Sequence, residues 1–220
     1  MPAASPDLQL FSYFRSSCSY RVRIALACKD LAFTYQPIHL VRDGGEHLTP
    51  EYRQLNPQGE VPFLKHGSFG LSQSMAIIEY LDEVHPEPPL FGGDAEQRAR
   101  IRRLCEVVNA GIQPLQNLKT LQYLVREFGL SDEQKIKWAQ HWISSGLQAL
   151  EKLLTQTHGQ YCVGDEISAA DCFLIPQVYN ARRFAVAMEP FPLINQIYGH
   201  CTALPCFVAA HPDRQPDTPG

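Results

Sequence analysis

The amino-acid sequence predicts an α+β domain followed by an all-α domain, and three observations carry that prediction. Period-two and helical apolar patterns interleave through Leu81. From Ala95 onward strand signals vanish and only helical spacing persists. Between them stands His85-Pro86-Glu87-Pro88-Pro89, whose prolines end a helix and stiffen a connector. The expected organisation is residues 1–86, a connector over 87–94, and a helical domain over 95–220.

Residues 8–13 alternate and read as a strand. The apolar run from Val22 to Cys28 places a helix over 19–29. Residues 34–39 alternate again, and Pro37 marks an edge strand because proline lacks the ladder N–H. Strand, helix and strand at this spacing favour a parallel βαβ unit. Gly44-Gly45 puts a loop over 42–46, and residues 51–55 make one helical turn stopped by Asn56-Pro57. Residues 59–64 read as a strand entered by Pro62. The Val61–Pro62 bond is either an ordinary trans bond at a sheet edge or a cis bond. A cis bond would turn the Val61 N–H and C=O outward, where an extended peptide can pair with them. After the His66-Gly67 turn, residues 69–71 form a short strand. A helix then runs through Leu81, with Ile77, Ile78 and Leu81 as its buried stripe and Ser74 as its N-cap.

The stretch joining the first strand to the first helix carries the chemistry. Ser16, Ser17, Cys18 and Ser19 cluster where that helix begins, with Arg15, Arg21 and Arg23 adding positive charge. A helix start presents unpaired N–H groups and the positive dipole end, and so favours an anion, a thiolate in particular. The plainer alternative is an N-cap serine beside a small core cysteine. The same choice applies at Ser74, which either caps its helix or also holds a carboxylate. The order β-α-β, loop, β-β-α brings two helix starts and one Val-Pro to one end of a small sheet. That is a thioredoxin-like arrangement, suited to a peptide bearing a thiol and a carboxylate.

In the second half, Ile101, Leu104, Val108, Leu115 and Leu118 follow one helical spacing, which Gly111 and Pro114 bend. Ser131-Asp132-Glu133-Gln134 is a capping box opening a helix with Ile136, Ile143, Leu147, Leu150 and Leu154, closed by His158-Gly159. Ser168-Ala169-Ala170-Asp171 repeats the box with Asp in place of Glu and opens a helix through Phe184. Asp171 is therefore a structural residue rather than a catalytic one. Pro190 and Pro192 precede a last helix over 193–203, and a polar, proline-rich tail begins at Pro212.

Composition excludes several classes. A net charge of −4, with no basic block, argues against a nucleic-acid binder. The apolar runs are too short to span a bilayer. Residues 1–7 show neither a basic nor an apolar leader region. Seven cysteines without a C-x-x-C pair fit a reducing, cytoplasmic setting. Eight histidines without ligand spacing argue against a metal site.

The motifs Ser-Ser-Cys-Ser-x-Arg-Val-Arg-Ile-Ala-Leu, Asn-Pro-x-x-x-Val-Pro and Gln-Ser-x-Ala-Ile-Ile-Glu-Tyr-Leu resemble the zeta class of glutathione S-transferases. The resemblance runs on through residues 111–118, 162–165, 176–184 and 215–219, and so covers almost the whole chain. It implies the glutathione S-transferase architecture, glutathione as cofactor and a homodimer. The implied reaction is the cis–trans isomerisation of maleylacetoacetate to fumarylacetoacetate, a step of tyrosine and phenylalanine catabolism, with transferase side activity on α-halo acids. Maleylpyruvate isomerisation and broad glutathione transfer are the alternatives. A catalytically idle thioredoxin-like binding module is a further alternative, of a different class.

Residue by residue, the resemblance implies that Ser16, Ser17 and Cys18 meet the glutathione sulfur. Val61 pairs with the peptide backbone, and Gln73 and Ser74 hold the γ-glutamyl carboxylate. Gln113 and Asn117 line the same site, and Arg183 holds a substrate carboxylate. Arg15 is a second candidate for the dianionic substrate. Where members often carry Gln, this chain departs with Glu46-His47, and His47 is the residue there that could donate to glutathione. Lys119 also replaces a small polar residue. Cys18 is either the nucleophile itself or a residue that tunes the sulfur site.

Overall fold

The computed structural model describes residues 7–219, so the leader reading over residues 1–6 lies outside them. The chain divides into two compact units. One comprises residues up to Leu90 together with the segment from Ala203 onward, and the other comprises Phe91–Thr202.

The first unit holds a four-stranded sheet built from β1 (Leu8–Ser12), β2 (Thr34–Pro37), β3 (Phe63–His66) and β4 (Phe69–Ser72), in the order β2-β1-β3-β4. β1 and β2 are parallel, with Leu10 opposite Tyr35. β3 runs antiparallel to β1, with Leu64 opposite Leu10. The parallel βαβ unit and the edge position of the Pro37 strand are as expected. Helix α1 (Ser17–Cys28) crosses between the parallel strands, α2 (Pro50–Leu55) follows the loop, and α3 (Ser74–Val84) closes the thioredoxin-like pattern. Ile77, Ile78 and Leu81 are fully buried, as their spacing requires. Burying each side chain of this size contributes about 1.5–3 kcal/mol, which is what holds so short a helix.

Several boundaries differ from the sequence expectations. α1 begins at Ser17 rather than Ser19, because Ser16 caps it. The strand expected over 59–64 begins only at Phe63, and 34–39 shortens to β2. Residues 42–46 are not plain loop; they contain single 3-10 turns at Arg42–Gly44 and Glu46–Leu48. Ser74 is the first helical residue of α3 and not its N-cap; Gln73 takes that place.

The largest difference concerns the end of the chain. The helix expected over 193–203 is α9 (Pro192–Thr202), and a further helix, α10 (Pro205–Ala210), packs on α1. The stretch from Ala203 onward thus belongs to the first unit and not to the helical domain over 95–220. The physical reason is Arg23. It is 1% exposed, and a buried guanidinium needs acceptors. Its Nε donates to the Ala210 carbonyl at 3.0 Å, and its Nη2 to the Phe14 carbonyl at 2.9 Å. Asp217 completes the seam, accepting from the Phe14 N–H at 3.0 Å and from the Tyr35 hydroxyl at 2.7 Å. At the other end of α1, Lys29 Nζ reaches Asp82 Oδ1 and the carbonyls of His85 and Pro88, each at 2.7 Å.

The second unit is helical: α4 (Ala95–Asn109), α5 (Gln113–Gln116), α6 (Leu118–Phe128), α7 (Asp132–Leu154), α8 (Ala169–Arg183) and α9. The single bent helix expected through Leu118 is in fact broken. α4 stops at Asn109, and Pro114 opens the one-turn α5 in a position where its missing N–H costs nothing. α6 ends at Gly129, whose φ of 66° supplies a left-handed stop. Both capping boxes form, at Ser131/Gln134 and at Ser168/Asp171. Asp171 is 0% exposed and accepts from the N–H groups of Cys162 and Ser168 and from the Ser168 hydroxyl at 2.8–2.9 Å. That geometry bears out the structural reading.

Candidate active site

The site starts from the cap on α1. Ser16, at φ −67° and ψ 119°, accepts the Ser19 N–H on Oγ at 3.2 Å. The capping reading is therefore right for Ser16. Ser17 and Cys18 become the first helical residues, where main-chain N–H groups have no intrahelical acceptor and the dipole end is positive. Ser17 is 7% exposed, and Cys18 is half-buried. The Ser19 hydroxyl is buried with no hydrogen-bond partner among the described residues. This turn suits an anion independently of any ligand.

Two other segments converge on it. The Val61–Pro62 bond is cis, and Val61 lies outside the ladder that begins at Phe63. Val61 packs in one cluster with Tyr13, Phe14, Tyr52 and Phe63, which sets this loop against the residues leading into α1. The Glu60 carbonyl takes two donors, the Tyr52 hydroxyl and Asn56 Nδ2, each at 2.8 Å, so the loop is fixed just before Val61. Burial raises the Tyr52 phenol well above its ordinary value, which keeps it a donor. Gln73 stands at φ 73°, a left-handed conformation that a glutamine holds only under constraint. Its Nε2 donates to Gln58 Oε1 at 2.6 Å, tying the start of α3 to the loop before Val61. Arg21 Nη1 donates to Ser74 Oγ at 3.1 Å, tying the start of α3 to α1. Within the first unit, Gln73 is thus tied to Gln58, Ser74 to Arg21 of α1, and Val61 to the residues that precede Ser16.

The three arginines read as positive charge near Cys18 separate in the structure. Arg21 and Arg23 are 0% and 1% exposed and act within the packing of α1. Only Arg15 is exposed, its guanidinium about 6 Å from the rings of Tyr13 and Phe14. His47 is half-buried, and its Nδ1 has no partner among the described residues. Burial first, then the charge of Arg53, lower its pKa below the usual histidine value. The ring is therefore neutral at pH 7, with one donor and one acceptor nitrogen.

In the second unit, Gln113 opens the single turn of α5, Asn117 follows it, and Arg183 is the last residue of α8. α7 holds both places. Trp138 Nε1 donates to the Leu115 carbonyl, and Gln140 Nε2 donates to the Phe184 carbonyl, each at 2.8 Å. Arg183 is exposed, with Nη1 donating to Asn180 Oδ1 at 3.0 Å. Sequence reasoning missed Gln58 and Asn56, whose role is to shape the loop. It also missed the buried amide pair Gln116–Gln177, joined at 2.7 Å, with Gln116 Oε1 and Gln177 Nε2 left without partners among the described residues. Gln116 and Gln177 lie inside motifs that carried the resemblance, so the signal was present without a role attached. Asp217 was missed because no local pattern links it to Phe14.

A thioredoxin-like unit with an anion-ready helix start and a cis-prolyl loop, in one chain with an all-helical unit, defines the thiol-peptide transferase class of fold. Comparison with known proteins agrees. Family models for the glutathione S-transferase N-terminal and C-terminal domains match residues 10–89 and 119–209. The maleylacetoacetate isomerase of Mus musculus is 49% identical over 219 residues, covering 100% of this chain and 98% of that protein. A solved bacterial maleyl pyruvate isomerase, described as a zeta-class glutathione S-transferase, is 41% identical with a TM-score of 0.93, covering 96% and 100% of the two chains. The maleylacetoacetate isomerase of Anaeromyxobacter dehalogenans, solved with glutathione bound in the active site, is 43% identical with a TM-score of 0.88, covering 97% and 98%. The chain belongs to the glutathione S-transferase family, in its zeta class.

Proposed function

We propose that this chain catalyses the glutathione-dependent isomerisation of maleylacetoacetate to fumarylacetoacetate, with glutathione transfer to α-halo acids as a side activity. The observation that carries the reading is the first turn of α1. Ser16 supplies the cap, so the Ser17 hydroxyl and the N–H groups beside it stay available to an anion. The relatives' names and the glutathione in a neighbour's active site support the same assignment.

Bound there, glutathione supplies a sulfur nucleophile that adds to the cis double bond, frees rotation about the carbon axis, and is expelled again. The residues of this chain hold it and the substrate. Val61 offers its main chain to the peptide, Gln73 and Ser74 take the γ-glutamyl carboxylate, and His47, Gln113 and Asn117 contribute further hydrogen bonds. Ser17 donates to the sulfur anion. A hydrogen bond to a charged acceptor contributes about 1.5–3 kcal/mol, so two such donors lower a thiol pKa by about one to two units. Cys18 tunes this site rather than attacking, and Cys18→Ala is expected to retain isomerase activity; loss of turnover would make Cys18 the nucleophile. Arg183 and Arg15 bind the substrate carboxylates. Arg183→Ala is expected to raise the KM for the dianionic substrate about 10-fold with little change in kcat; an unchanged KM removes it from the site.

The deciding experiment follows the loss of maleylacetoacetate with and without glutathione. Equal rates would overturn the proposal. Faster turnover of maleylpyruvate in parallel assays would move the assignment to that substrate. Among the described residues no helix is long and apolar enough to cross a membrane. We place the enzyme in the cytoplasm as a homodimer, which sedimentation of the purified chain tests.

A further inference from the structure

Cys28 closes α1, and Cys206 lies in the first turn of α10, 178 residues along the chain, yet their sulfurs stand 3.1 Å apart. Both are half-buried, so small reagents reach them, whereas Cys105, Cys162, Cys172 and Cys201 are buried. A disulfide bond is about 2.05 Å long, so closing the pair needs an approach of only about 1 Å. We propose that Cys28 and Cys206 form a reversible disulfide that clamps α10 onto the last turn of α1. The hydrogen bond from the Cys28 thiol, with the N–H groups of Phe207 and Cys206, draws the Cys206 thiol down to about 7, so much of it is thiolate at neutral pH.

The chemistry balances with a small disulfide such as glutathione disulfide as oxidant. The Cys206 thiolate attacks one of its sulfurs, forming a mixed disulfide and expelling one thiolate. Cys28 gives its proton to solvent and attacks Cys206 Sγ, which forms the protein disulfide and expels the second thiolate. Two electrons pass from the cysteine pair to the small disulfide, and two small thiols are released.

The clamp acts on a segment that matters to the fold of the first unit. α10 contains Ala210, the acceptor for Arg23, and leads to Asp217, the acceptor for Phe14 two residues before Ser16. The inference stands apart from the isomerase reading, because its test counts thiols rather than turnover.

The full-length chain is equilibrated in mixtures of glutathione disulfide and glutathione, quenched, denatured, alkylated and weighed. Two of the seven thiols are expected to escape alkylation, with a digest showing the Cys28 and Cys206 peptides joined. Cys28→Ser and Cys206→Ser each abolish the link. The oxidised wild type is expected to melt about 5 °C higher than the reduced form, while the oxidant leaves both variants unshifted. Alkylation of all seven thiols, a glutathione adduct that stays on Cys206 beside an alkylated Cys28, or a link between other cysteines would overturn the disulfide. Formation of the link without a rise in melting temperature would overturn the clamp.

Discussion

At the scale of single residues, two adjacent serines divide one task. Ser16 satisfies the helix, and in the proposed function Ser17 serves the anion, so their substitutions are expected to have different effects. Ser17→Ala is expected to lower kcat about 100-fold while changing the KM for glutathione little, because its donor serves a charge rather than the fold. Steady-state kinetics at saturating glutathione reads this, and an unchanged kcat removes the hydroxyl from catalysis. Histidine burial has a different readout. His47 and His85 both have pKa values lowered below the ordinary 6.5, chiefly by burial. Below pH 6.5 the unfolded chain therefore binds more protons than the folded one, and stability falls as the pH drops through that window. Urea midpoints at pH 7.5 and 5.5 should show that loss, and His47→Gln combined with His85→Gln should reduce it. An equal loss in the double variant would assign the pH dependence to other groups.

At the scale of elements, the structure depends on how each helix is started and stopped. α8 is the clearest case. Its N-terminus and the Cys162 main chain both lean on the Asp171 carboxylate, which has no exposure to water. Asp171→Ala leaves those buried donors without an acceptor and should cost about 3 kcal/mol, read as a lower urea midpoint with an unchanged slope. A loss below about 0.5 kcal/mol would mean that water replaces the carboxylate. Glu151 on α7 plays a comparable part for α9, its two oxygens accepting the N–H groups of Leu193 and Ile194 at 2.8 and 3.1 Å. The Asp171 box was legible because its partners lie three residues apart. The Glu151 contact was not, because its partners lie 42 and 43 residues away.

At the scale of the whole molecule, the chain returns to where it began. Removing residues 212–220 takes away Asp217 and, with it, the acceptor for the Phe14 N–H and the Tyr35 hydroxyl. The loop entering α1 then loses its outer restraint. The truncated chain is expected to melt lower and to show a KM for glutathione raised several-fold, with Asp217→Asn reproducing part of the change. An unaltered KM in both would confine the tail to a packing role.

Most of the first unit was legible in the residue order. The alternation at 8–13, the apolar run at 22–28 and the Val-Pro step rest on neighbours in sequence, and their physics is local. So were the Ser-Ser-Cys start and both capping boxes, since a cap involves groups within one helical turn. The break between Asn109 and Gln113 turned on whether α5 and α7 pack, and period alone does not decide that. Which of the arginines near Cys18 would face water and where α10 would lie depended on partners far along the chain. A buried guanidinium must find acceptors wherever the fold supplies them, and for Arg23 they came from residues 12–14 and 210, a pairing set by packing and not by spacing.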